Sequence, residues 1–159
     1  FQYAIPALRI LKKKYGDKIN ISVIGDENFQ IEDLGIKGKP WRMDTELEDL
    51  RAFDIGIMPL PDTEWTWGKC GLKGLQYMAL EIPTVLSPVG VNNQIIINGI
   101  NGFLADQIED WVTKLSALID NAELRVALGR AGRKAVVEKY SVLSLQNTYL
   151  NMFNSILKS

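Results

Sequence analysis

The sequence predicts an α/β fold, a doubly wound parallel sheet with helices on both faces. Short apolar runs at Ile19 to Ile24, Ile55 to Met58 and Ile82 to Ser87 end at glycine or proline, as strands buried on both faces do. Longer segments of helical spacing alternate with them. A glycine- and lysine-rich turn, Gly68-Lys69-Cys70-Gly71-Leu72-Lys73-Gly74, runs straight into Leu75-Gln76-Tyr77-Met78-Ala79. In such folds ligands sit at the carboxyl ends of the strands.

The first helix shows one face at Ile5, Leu8, Leu11 and Tyr15, with Lys12 to Lys14 as its solvated flank and Gly16 as its stop. Ile19 to Ile24 is a buried strand closed by Gly25-Asp26. Asp26 is read two ways, as a ligand-facing carboxylate at a strand end and as a turn or cap residue. Asn28 to Leu34 is expected to be a short helix and Gly35 to Lys39 a short strand before Pro40-Trp41. Trp41 is a core or surface tryptophan, or a neighbour of a nucleotide base. Thr45 and Glu48 match a capping box for a helix through Leu47, Leu50 and Phe53, and Pro59 and Pro61 stop the strand that follows. Leu60 to Trp67 is expected to be a loop carrying Asp62, Glu64, Trp65 and Trp67.

The next helix begins near Gly71 and repeats Leu72, Leu75, Met78 and Ala79. Its first backbone N–H groups have no partner within the helix, so they and the helix dipole attract phosphate. Lys69 and Lys73 oppose that dipole unless an anion lies between them. By itself the stretch is equally a glycine-rich turn with solvated lysines. Farther on, Asn92 or Asn93 is expected to cap a helical turn through Ile96, Asn98-Gly99 and Asn101-Gly102 bracket a turn before Phe103-Leu104, and Asp106 with Glu109 caps a helix on Trp111, Val112, Leu115, Leu118 and Ile119. Asn121 starts another on Leu124, Ala127, Leu128, Ala131 and Ala135, with Arg125, Arg130, Arg133 and Lys134 on its solvated face. Ser141 caps the last, whose stripe is Val142, Leu145, Tyr149, Met152 and Ile156.

Composition narrows the function. A single domain spanning residues 1–159 is expected, large enough to bury about two thirds of its unfolded surface. With no histidine, Ser-His-Asp and Cys-His catalysis and the usual zinc sites are excluded. A formal net charge of −1 gives no general field for nucleic acid, so any anion must be held locally. The lone Cys70 points to a reducing compartment. No apolar run reaches membrane-spanning length, and a chain opening on Phe1 reads as part of something larger. A P-loop is excluded: Gly68-Lys69 is followed by Cys70, and Thr63 stands where the first glycine belongs. The acidic cluster of a receiver domain is not evident around Asp26 and Asp54.

Met58-Pro59-Leu60-Pro61, Gly68 to Lys73, Gln76-Tyr77-Met78-Ala79, Ile82 to Ser87, Val89-Gly90 and Asn98 to Leu104 together resemble the C-terminal half of a GT-B glycosyltransferase. The group it resembles is the retaining family that includes sucrose and glycogen synthases. The resemblance covers most of the chain, to Tyr140-Ser141. It implies a Rossmann-like domain that binds a nucleoside diphosphate sugar, opposite an N-terminal acceptor domain as partner. It also implies glycosyl transfer with retained configuration, no cofactor, no metal, and a cytoplasmic location, with the inner membrane face as a peripheral site. The family pairs a glutamate near the donor sugar with a second, eight positions on, at the ribose. Here those positions are Gly68 and Gln76. Gln76 can still bond a ribose diol, whereas Gly68 cannot replace a carboxylate, and Glu64 or Asp62 is the nearby substitute. The N–H groups of Gly71 and Leu72 match the diphosphate contacts, with Lys69 and Lys73 adding charge. No catalytic residue is assigned, and the chain alone is expected to be inactive. The family also places a central strand ahead of the first helix, so the chain is expected to repair its sheet or borrow a strand. A noncatalytic α/β binding module with a degenerate donor site is the alternative.

Overall fold

A computed structural model describes residues 1–157. In chain order the elements are α1 (Ile5–Tyr15), β1 (Val23–Ile24), β2 (Gln30–Ile31), β3 (Ile36–Lys39), α2 (Glu46–Arg51), β4 (Gly56–Met58), α3 (Glu64–Trp67), α4 (Leu72–Ala79), β5 (Thr84–Leu86), α5 (Asn92–Ile95), β6 (Phe103–Leu104), α6 (Ile108–Asp120), α7 (Ala122–Lys139) and α8 (Val142–Leu157). The strands form two three-stranded sheets, ordered β1-β3-β2 and β4-β5-β6. The second is wholly parallel, with Ile57 opposite Val85 and Val85 opposite Phe103. In the first, β1 runs parallel to β3 and β2 antiparallel to it.

Strand periodicity divides the core in two. Ile57, Val85 and Phe103 face a cluster with Leu8 and Leu11 of α1 and Trp111, Leu115 and Leu118 of α6. Met58, Leu86 and Leu104 face the other way, onto Leu75 and Met78 of α4, Ile95 of α5 and Val136 of α7. The second sheet thus carries helices on both faces, as its apolar runs predict. Glycine permits the closest approaches. A Cβ at Gly129 on α7 would come within 2.0 Å of the Glu81 carbonyl oxygen, and one at Gly56 within 2.4 Å of the Tyr77 ring.

Among the described residues the sheet is not repaired. β1 and β4 do not pair with each other, and a cleft of about 1010 Å³ lies between the segments that contain them, lined by Ile19 to Gly25 on one side and Ala52 to Ile57 on the other. With its outer edge unbonded, the segment expected as a strand over Ile19 to Ile24 keeps ladder pairing only at Val23–Ile24.

Several local expectations are corrected. Asn28 to Leu34 is strand β2 followed by a 3-10 turn at Glu32–Leu34, because β3 offers Gln30 and Ile31 a partner. Thr45 caps nothing with its side chain, which hydrogen-bonds Asp49 Oδ2 at 3.0 Å. Asn92 and Asn93 donate to the carbonyls of Ser87 and Pro88, leaving Val91 at the head of α5. Gln107 precedes α6, and Asp110 rather than Glu109 accepts the Asp106 N–H. Arg125 and Arg133 are not merely solvated: Arg125 donates to the carbonyls of Leu118 and Ile119, and Arg133 to that of Ala79. The caps at Asn121 and Ser141 form, bonding the N–H groups of Leu124 and Ser144. No residue of α8 is buried, and of its stripe Val142, Tyr149, Met152 and Ile156 lie exposed while Leu145 is half-buried.

Candidate functional site

The loops after β4 and β5 are locked together beneath one helix end. Ser87 Oγ accepts the Leu60 N–H at 2.9 Å, and Asn92 Nδ2 donates to the Ser87 carbonyl at 3.0 Å. Within the stretch expected as a loop, Thr63 and Thr66 form a reciprocal capping box that starts α3. Thr66 stands where the pattern calls for glutamate or glutamine, so the helix was hidden from the sequence. Gly90 lies close beneath it, where a Cβ would meet the Trp67 carbonyl oxygen at 2.9 Å.

This scaffold presents the N-terminus of α4. Gly71 sits at φ 69°, a left-handed conformation that favours glycine, and a Cβ there would also strike Ile95 Cδ1 at 2.4 Å. No side chain caps the helix. Its leading N–H groups and dipole are therefore available to an anion.

The expected site residues divide around that end. Gly71, Leu72 and Lys73 belong to it, although the Leu72 side chain is exposed and only its backbone suits the role. Lys69 Nζ lies over the Trp65 ring, 5.7 Å from its centre. Gly68 ends α3 at φ −76°, and a Cβ there meets only the Trp65 carbonyl oxygen at 3.6 Å. Nothing in the backbone therefore demands glycine at 68. Glu64 is exposed on α3, while Asp62 accepts the Trp67 indole N–H at 2.5 Å. Asp26 has the turn role: its Oδ1 accepts the Asn28 N–H at 2.9 Å beyond β1.

Gln76 is not alone. Its Nε2 donates to Glu46 Oε1 at 3.3 Å, and Lys73 Nζ donates to the same oxygen at 2.9 Å. Gln76 Oε1 is buried with no hydrogen-bond partner. The Lys73 hydrogen bond is the largest cause holding the Glu46 carboxyl below the usual glutamate range, and Trp41 adds to it. Trp41, Lys73 and Tyr77 edge the cleft. Glu46 was not among the expected site residues. It lies 27 and 30 positions from its two partners on α4, and only the fold joins them.

Among known proteins, the family described as "Glycosyl transferases group 1" matches residues 1–121. An uncharacterized glycosyltransferase of Methanocaldococcus jannaschii, MJ1178, is 36% identical over 127 residues, covering 72% of this chain and 35% of that protein. Of solved structures, a TarM mutant of S. aureus in complex with Fondaparinux, alpha-GlcNAc-glycerol and UDP aligns with TM-score 0.75 at 22% identity, over 96% of this chain and 32% of that one. The C-terminal domain of LpcC, a glycosyl transferase group 1 family protein from Francisella tularensis, aligns with TM-score 0.63 at 20% identity, over 89% of this chain and 79% of that one. The chain spans about a third of the length of MJ1178.

Proposed function

Because the chain belongs to the glycosyl transferases group 1, we propose that residues 1–159 are the C-terminal, donor-binding half of a glycosyltransferase. It binds a nucleoside diphosphate sugar, and the parent protein transfers the glycosyl unit with retention to an acceptor held by an N-terminal domain. The uncapped end of α4, set on a left-handed glycine packed against Ile95, carries this reading. The diphosphate lies on the N–H groups of Gly71 and Leu72, where the helix end offsets leaving-group charge without a metal or other cofactor. Lys73 adds a cation in the first turn. The resemblance to retaining synthases supports retention, and the lone, exposed Cys70 fits a reducing cytoplasm.

Thermal unfolding with UDP, GDP and ADP tests the reading. UDP comes first because the TarM structure contains it. A ligand confined to the folded state adds about 2.7 kcal/mol of stability at a hundredfold excess over its dissociation constant. One nucleotide is expected to raise the midpoint, and Lys73→Ala to weaken the rise. Glycine at 68 and the exposed Trp65 and Trp67 favour a second reading, a noncatalytic module with a degenerate site. That module predicts no shift with any nucleotide, even with an N-terminal half restored.

A further inference from the structure

The group of Trp41, Glu46, Lys73 and Gln76 has a chemistry of its own. Glu46 is held by two side chains of α4, Lys73 at 2.9 Å and Gln76 at 3.3 Å, and both bonds fall on Oε1. The bond to Glu46 fixes the Gln76 amide. Flipping it would set Oε1 against a carboxylate oxygen, and in the observed orientation that oxygen is buried and unpartnered. Gln76 is thus committed as a donor toward Glu46. A carboxylate has about four acceptor positions, so beside Lys73, Gln76 and the contribution of Trp41, Glu46 retains capacity for at least one further donor.

Charge decides what can use that capacity. Lys73 already balances Glu46, so a further cation gains little and an anion meets the carboxylate. Neutral hydroxyl donors satisfy it without adding charge. Trp41, half exposed at the cleft edge, offers a flat apolar face beside the same carboxylate. The ligand that fits is a pair of hydroxyls joined to a flat ring. Residue 76 also lies little more than one turn, about 5.4 Å, along α4 from its open N-terminus.

We propose that Glu46 receives the ribose hydroxyls of the nucleoside diphosphate, with Gln76 as a positioning residue that holds the carboxylate and Trp41 beside the base. This rests on the donor-site reading above and moves the ribose contact from Gln76 to Glu46.

The test is calorimetric titration of the whole chain with UDP and with 2′,3′-dideoxy-UDP. The readout is the ratio of the two affinities, since a change in phosphate binding or general folding moves both ligands together. Wild type is expected to favour UDP by about tenfold or more, as for a charge-assisted hydrogen bond. Glu46→Ala should bring the ratio near one while binding the dideoxy compound no more weakly than wild type. Glu46→Gln, closest to the native shape, should fall between. Gln76→Met should reduce the ratio while leaving the unfolding midpoint near that of wild type. A wild-type ratio retained in Glu46→Ala and lost in Gln76→Met would return the diol to Gln76 and overturn the proposal. Equal binding of both ligands by wild type would overturn it and leave the donor site standing. No binding of either, here and with an N-terminal half restored, would remove the donor-site reading itself.

Discussion

The two sheets differ in where their backbone bonding ends. In β4-β5-β6 the central strand is bonded on both sides, and Val85 and Leu86 are wholly buried between two helical layers. In β1-β3-β2 the strand nearest the cleft has two residues, both only half-buried. Both sheets present an unbonded strand edge to the cleft, β4 in one and β1 in the other, and what sets the β4-β5-β6 half apart is the burial of β5 between its two helical layers. Local sequence writes apolar runs of similar quality in both places, so the difference comes from partners and not from propensity.

The largest test of that contrast is a matched pair of truncations. Leu86→Ala removes a side chain at 0% exposure that packs on Gly74, and should cost about 4 kcal/mol in urea unfolding. Val23→Ala, on the half-buried β1, should cost about 1 kcal/mol. Hydrogen exchange should agree, with the amides of Val85 and Leu86 opening near the global free energy and that of Val23 well below it. Equal costs would erase the distinction.

Legibility in the sequence follows the same line. The parallel sheet was legible because its bonding partners are all local α/β units, and the start of α4 near Gly71 was legible because a glycine-rich turn runs there into helical spacing. Each miss has a physical cause. The Thr45 to Glu48 pattern matched a capping box, but Thr45 adopts φ −110° and ψ −6° instead of an extended cap and bonds Asp49. The box that does form uses Thr66. β1 was expected to be longer because its apolar run extends past the point where a neighbouring strand bonds it. Glu46 carried no signal, since no motif spans the distance to α4.

A smaller effect separates two glycines flanking the same loop. Gly71→Ala places a side chain at φ 69° against Ile95 and should cost about 2 kcal/mol. Gly68→Ala, at φ −76° with room for a Cβ, should stay within about 0.5 kcal/mol. Gly68→Glu should be tolerated equally and tighten binding of a UDP-sugar relative to UDP, because it returns a carboxylate to the sugar end. If Gly68→Glu unfolds the protein, the room at 68 is not real.

The smallest expected effect concerns a tie between the halves, the bonds from Lys73 and Gln76 on α4 to Glu46 on α2. Lys73 first, then Trp41, hold the Glu46 carboxyl below its ordinary value of 4.5. A carboxyl lowered in the folded state stabilises the fold fully above its unfolded value and loses that contribution as pH falls through the folded value. Wild type should therefore lead Glu46→Gln in unfolding midpoint at neutral pH, and the lead should shrink only below 4.5. The pair is largely solvent-screened, so the lead is small and should narrow with added salt. A lead that persists unchanged into acid would mean that Glu46 joins the halves by shape and neutral hydrogen bonding, and its ionised pairing with Lys73 would carry none of the connection.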